Sequence, residues 1–135
     1  MNTSDSPTTS YPDWFNASLN TPCEAGETSV DGCKINYVAW GEKGKPGLVL
    51  LHGSNAHLEW WRAIAPMLCD QFRVVAMDSS GSGMSGWRDN YTGDLFAREV
   101  IAVAQAAGLG DKPYVAGHSF GGFATLEAGH LYGSE

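Results

Sequence analysis

Apolar residues in this chain fall into three short unbroken runs, Leu48-Val49-Leu50-Leu51, Phe72 to Met77 and Tyr114-Val115-Ala116. Each run leads into a segment with helical spacing. Residues 57 to 69 follow the first run, with Leu58, Trp61, Ile64/Ala65 and Leu68 on one face. Pro66 lies inside that segment and is expected to kink the helix or end it early. Thr92 to Ala107 follow the second run, with Phe96, Val100, Val103 and Ala107 as the apolar stripe. Thr92 suits an N-cap and Gly108 a helix terminus. Phe120 to Leu131 form the helix after the third run. Strands without alternation, separated by amphipathic helices, predict a parallel sheet covered on both faces. Right-handed crossovers then bring the carboxyl ends of the strands to one rim. His52-Gly53-Ser54, Asp78 to Ser85 and Ser119 all fall on that rim, where open α/β sheets bind ligands.

The first part of the chain reads differently. Residues 1–25 are rich in Ser, Thr, Pro and Asn and are expected to form a flexible or loosely docked arm. Trp14, Phe15 and Leu19 would anchor part of it as a short amphipathic turn. Glu27 to Val30 and Cys33 to Trp40 are strand-like runs around Asp31-Gly32, a good two-residue hairpin signal. Gly41 to Gly47 is a loop punctuated by Gly and Pro. Residues 26–135 are expected to form the folded body.

Composition narrows the class. A chain of 135 residues fits one ordinary domain and can bury a real core. A net charge of −7 argues against nucleic acid or an anionic membrane surface as partner, since both call for a basic face. No apolar stretch approaches the length of a membrane span, and Met1 to Ser10 lack the apolar core of a secretory signal, so a cytoplasmic location is the expectation. Cys23, Cys33 and Cys69 follow no metal spacing and are expected to be reduced thiols with packing roles. No metal or cofactor is expected.

The chemistry concentrates in Gly117-His118-Ser119-Phe120-Gly121-Gly122. A serine at a sharp strand-to-helix turn adopts a strained backbone, and the residues two positions either side come close together. Only small residues fit there, which is the steric reason for the G-x-S-x-G spacing. Such a turn lifts the hydroxyl clear of the backbone and sets a helix N-terminus beneath it, favouring developing negative charge.

These segments, in this order and spacing, closely resemble the N-terminal half of an α/β-hydrolase. The resemblance runs from about Gly26 onward and rests on the opening hairpin and three further segments. These are Leu51-His52-Gly53-Ser54, Asp78-Ser79-Ser80-Gly81-Ser82-Gly83-Met84-Ser85 and the Ser119 turn. It implies an incomplete α/β-hydrolase fold: a mostly parallel sheet, helices on both faces and an N-terminal β-hairpin. It further implies Ser119 as nucleophile, with the backbone N–H groups of Ser54 and Phe120 as the oxyanion hole. Dehalogenases and epoxide hydrolases of this fold carry an aspartate at the nucleophile position. The serine therefore points to ester-like acyl chemistry on a small-molecule substrate. His52 and His118 are read as loop-holding or pocket-lining residues rather than bases, Asp78 as a loop anchor, and Trp60, Trp61 and Trp87 as core or lid contacts.

In this family the triad follows the order Ser, then Asp or Glu, then His. Glu127, His130 and Glu135 follow Ser119 but sit on or near the next helix, running away from the rim. The expectation is a hydrolase portion without its triad acid and histidine, unstable or aggregation-prone alone and nearly inactive. A catalytically inactive truncated hydrolase, with a binding role or none, is the alternative. Gly81-Ser82-Gly83-Met84-Ser85-Gly86 also matches the dinucleotide fingerprint formally, but Trp87-Arg88-Asp89-Asn90 follows it and opens no helix.

Overall fold

The computed structural model describes residues 10–134. In chain order the elements are helix α1 (Asp13–Leu19), strands β1 (Glu24–Val30), β2 (Cys33–Trp40), β3 (Gly47–Leu51) and β4 (Arg73–Met77), helix α2 (Gly93–Ala106), strand β5 (Tyr114–Gly117) and helix α3 (Phe120–Tyr132). One sheet holds all five strands in the order β1-β2-β4-β3-β5. β3 is parallel to both β4 and β5, whereas β2 is antiparallel to β1 and to β4. The sheet is thus mixed, and the three unbroken apolar runs supply its parallel part.

Alternation along each buried strand sorts two cores. Val49, Leu51, Val75 and Met77 face α2 and α3, meeting Val100, Val103 and Ala124. Leu50, Val74, Ala76 and Trp40 face the other way, against Leu58 and Ala65. At the β1–β2 hairpin, Asp31 and Gly32 both have positive φ, 47° and 76°, as the favoured two-residue hairpin turn requires. β1 begins at Glu24, three residues before the sequence pattern suggested. Its polar start pairs in register with the apolar end of β2, Glu24 opposite Ala39, so the partner strand rather than local propensity sets the boundary.

The helix expected over residues 57–69 does not form. Leu58–Trp61 and Ala65–Leu68 are instead two separate 3-10 turns. Pro66 lacks the N–H a continuous helix needs, and at the start of the second turn that missing donor costs nothing. Leu58 and Ala65 are buried as the spacing implied, but Ile64 turns outward. Arg62 and Glu59 form a two-bond pair on this segment, Nη2 to Oε1 at 2.6 Å. The Arg62 hydrogen bonds hold the Glu59 carboxyl below the ordinary carboxylate value, against a smaller opposing effect of burial. A lowered pKa means that this contribution is whole at neutral pH and lost as pH falls through it. The melting temperature of Glu59→Gln should accordingly lie slightly below the parent at pH 7 and converge with it towards pH 3.

Residues 1–9 of the expected flexible arm lie outside the described residues. From Asp13 the rest of it forms α1, which packs against the Ala65–Leu68 turn. Ser18 is its buried residue, while Trp14 and Leu19 stay exposed. At the end of the sheet away from the rim, the Arg73 guanidinium is buried and donates to the carbonyls of Gly41 (2.8 Å) and Ala107 (3.1 Å). It also pairs with Glu24 at 3.1 Å. β5 closes the other side of the sheet, with one neighbour only, and Tyr114 on it is largely exposed. Cys23, Cys33 and Cys69 are free thiols. No helix among the described residues is long and apolar enough to cross a membrane.

Candidate active site

Ser119 stands between β5 and α3 with φ 54° and ψ −115°, a left-handed backbone that a serine rarely adopts. Close approach of the flanking glycines explains how the strain is held. A Cβ on Gly117 would sit 2.1 Å from the Gly121 carbonyl oxygen, and one on Gly121 would sit 2.4 Å from the Leu51 oxygen. The last turn of β5, the start of α3 and the end of β3 are therefore in backbone contact. The His118 N–H donates to Leu51 O at 3.1 Å, and the Gly122 N–H donates to Ser119 O at 2.8 Å. With its backbone fixed from both sides, Ser119 presents an exposed side chain at the rim.

Ser54 and Phe120 come to the same place. A Cβ on Gly53 would lie 3.3 Å from Ser119 Cβ, so the loop after β3 abuts the serine directly. Ser54 and Phe120 line one crevice of about 380 Å³ beside it. Neither of their N–H groups donates to another backbone group among the described residues. The Phe120 ring stands edge-on to Phe96 of α2 at 5.0 Å, and both residues line that crevice.

The supporting shell is a set of buried polar groups. His52 is buried, contacts Gly53 O through Nδ1 at 2.8 Å and accepts the Ser79 N–H at Nε2 at 3.1 Å. An acceptor Nε2 places the proton on Nδ1, so the ring ties two rim loops together and has no free nitrogen to act as a base. Asp78 at the end of β4 is also buried. It accepts from Leu58 N (2.8 Å), Met84 N (2.9 Å) and Asn36 Nδ2 (3.0 Å). Gly83 is pressed against it: a Cβ there would fall 2.4 Å from the Asp78 carboxylate. Ser85 Oγ donates to Asp78 O at 2.6 Å, completing the fastening of this loop. Residues 81–86 thus form a stitched series of turns, and the next helix opens only at Gly93.

Glu99 of α2 was not singled out by the sequence, and neither was its partner. Its carboxylate is fully buried and accepts from Ser80 N (2.7 Å), Ser80 Oγ (2.6 Å) and Arg88 Nη2 (3.2 Å). The signal was present in the pattern. Glu99 sits three positions after Phe96 and four before Val103, inside the apolar stripe, where an unpaired charge would be very costly.

The remaining candidates separate from the serine. Glu127 and His130 lie on α3, roughly 12 Å and 16 Å along its axis from Ser119. Glu127 instead approaches Gly93 at the start of α2. His118 is exposed and lines a second, smaller crevice of about 210 Å³ with Ala56, Trp60, Trp61 and Ile64. Trp87 is exposed on the wall of the first crevice, and Trp60 is exposed beside the second. Trp61 packs on the core beneath Leu58, with its Nε1 buried and without a partner. Among the described residues no three His, Cys, Asp or Glu side chains are grouped to hold a metal.

Comparison with known proteins identifies the family. Residues 46–135 match the family model described as the alpha/beta hydrolase fold. Human epoxide hydrolase 4 is 33% identical over 108 residues, covering 78% of this chain and 29% of that protein. A pimeloyl-[acyl-carrier protein] methyl ester esterase from Edwardsiella ictaluri is 38% identical over 85 residues, 63% of this chain and 31% of the esterase. Among solved structures, epoxide hydrolase A from Mycobacterium thermoresistibile superposes with a TM-score of 0.77 at 26% identity, over 83% of this chain and 36% of that one. The chain therefore spans about a third of the length of the relatives it matches.

Proposed function

Because the chain belongs to the alpha/beta hydrolase fold family, we propose that it carries the nucleophile and oxyanion-hole portion of a serine hydrolase for carboxylic esters or related acyl substrates. Ser119 Oγ attacks the carbonyl carbon, its proton passes to a general base, and the carbonyl electron pair moves onto oxygen. The Ser54 and Phe120 N–H groups stabilise that oxyanion, an interaction typically worth ~3 kcal/mol for each donor. Collapse of the intermediate expels the alkoxide, which takes the proton back from the base and leaves as the alcohol, and water then releases the acid from Ser119. The observation that carries this reading is Ser119 itself, held at φ 54° on a strand-to-helix turn beside two N–H groups that donate to no other backbone group. The relatives include both epoxide hydrolases and an esterase. The serine at this position, where epoxide hydrolases of the fold have aspartate, favours the acyl reading.

Among the described residues no histidine or carboxylate side chain is hydrogen-bonded to Ser119, so the acylation step is tested with a base supplied from solution. Lack of a general base typically lowers such a step by 10²–10⁴-fold. Acylation is therefore best followed with p-nitrophenyl acetate and added imidazole as external base, mapping the adduct by peptide mass spectrometry. A single acetyl group on Ser119, formed faster with imidazole and absent in Ser119→Ala, is the expected result. A folded chain that gains no adduct at Ser119, or one modified equally in Ser119→Ala, overturns it in favour of an inactive binding chain.

A further inference from the structure

The two crevices beside Ser119 differ in chemistry, and they share one wall. His52 and Gly53 line both, and the Gly53 backbone runs between them in contact with His118 and Ser119. On one side Ser54, Asn55, Ser79 and Ser82 mix with Trp87, Tyr91 and Phe96, beside the two N–H groups assigned above to the oxyanion. On the other side the walls are Ala56, Trp60, Trp61 and Ile64, all carbon-rich, with His118 at the mouth. Trp60 and Ile64 leave 67% and 47% of their surfaces in water at this spot, although both are large apolar side chains. An apolar concavity rimmed by exposed tryptophan and isoleucine gains most from an apolar guest.

Resting on the acyl-transfer reading, we infer that the Ala56–Trp60–Ile64 niche is the subsite for the apolar arm of the substrate, an alkyl or aryl group on one side of the scissile carbonyl. The ester's other arm lies over the mixed polar and aromatic crevice across Gly53. Position supports this: the niche is lined by His118, the residue before the nucleophile, and by Gly53, whose backbone abuts Ser119. Volume sets the size. About 210 Å³ is somewhat more than the ~150 Å³ of an apolar cavity that accepts benzene, which suits an arm of ~6–8 carbons. Trp60 and Ile64 then act as specificity-determining residues.

Binding of neutral primary amides to the purified chain tests the niche without any chemistry at Ser119. Acetamide, butanamide, hexanamide and decanamide are titrated while the Ile64 methyl NMR shifts and tryptophan emission are read. Affinity is expected to rise by about 2–4-fold per methylene up to hexanamide, following the transfer free energy of a buried methylene, and to level off before decanamide. Ala56→Leu, which fills the niche, and Ile64→Asn, on its exposed rim, should each remove most of that dependence. Affinity independent of chain length, or a dependence that survives in both variants, overturns the inference. The two readings fail separately. Ser119 acetylation with no preference for hexanoyl over acetyl ester keeps the hydrolase and removes the niche. Length-dependent amide binding without any Ser119 adduct keeps an apolar ligand site and removes the hydrolase.

Discussion

Glu99→Ala is expected to destabilise the chain by ~3–5 kcal/mol, the cost typical of removing one partner from a buried ion pair. The carboxylate answers three donors at once, Ser80 N, Ser80 Oγ and the Arg88 guanidinium, and is fully buried. Truncation leaves the Arg88 charge and the Ser80 N–H buried and unanswered, and that desolvation, rather than the lost attraction, supplies most of the effect. Glu99→Gln keeps an acceptor for Ser80 while losing the charge opposite Arg88, so it should cost distinctly less. Urea midpoints at constant m-value measure both. A loss below ~1 kcal/mol for the alanine variant would mean that the pair is not closed in solution. Because this network fastens the 79–88 loop to α2, the same variant should also weaken whatever binds the crevice lined by Ser79 and Ser80.

The second large effect is a contrast within α3. Gly121→Ala is expected to lower stability by at least ~3 kcal/mol, since the new Cβ would press 2.4 Å from Leu51 O and 2.7 Å from His52 O. Backbone atoms of a central strand cannot rotate away as a side chain can. Gly129→Ala, two turns further along, meets nothing within 4 Å and should stabilise by ~0.5–1 kcal/mol, because glycine in a helix interior loses more chain entropy than alanine. Opposite signs from the same substitution in one helix are the diagnostic outcome. Two changes of equal sign and size would show that β3 and α3 do not approach as described.

Elements whose cause is local were legible in the sequence. Leu48–Leu51 and Tyr114–Ala116 are strands because an unbroken apolar run can satisfy a sheet covered on both faces. α2 begins where Thr92 accepts the Leu95 N–H at 3.2 Å, as its capping chemistry suggested. The segment after β3 was misread because its apolar spacing is helical while Pro66 and the Asp78 hold on Leu58 N–H break it into two turns. The turn at Ser119 leaves a short-range signature in its flanking glycines, whereas Ser54 and Phe120 are implied only by the family resemblance. The polar shell could not be picked out: Asn36 meets Asp78 across 42 residues, and Ser79 meets His52 across 27. Nor could the two crevices, whose unlike walls come from loops that only the sheet order brings together.

β5 pairs with a single neighbouring strand along four residue pairs, Leu48↔Tyr114 to Leu51↔Gly117, and ends two residues before Ser119. Opening there breaks far fewer contacts than unfolding the sheet, so its amides belong at the low end of the free-energy scale for hydrogen exchange. When β5 lifts, the Gly117–Gly121 approach and the His118 N–H bond to Leu51 O go with it, and residue 119 loses one side of the support for its left-handed dihedral. Readiness for chemistry is thus a population, set by how firmly this one strand is clasped along its open side. Any contact that covers that side raises the competent fraction without touching the serine.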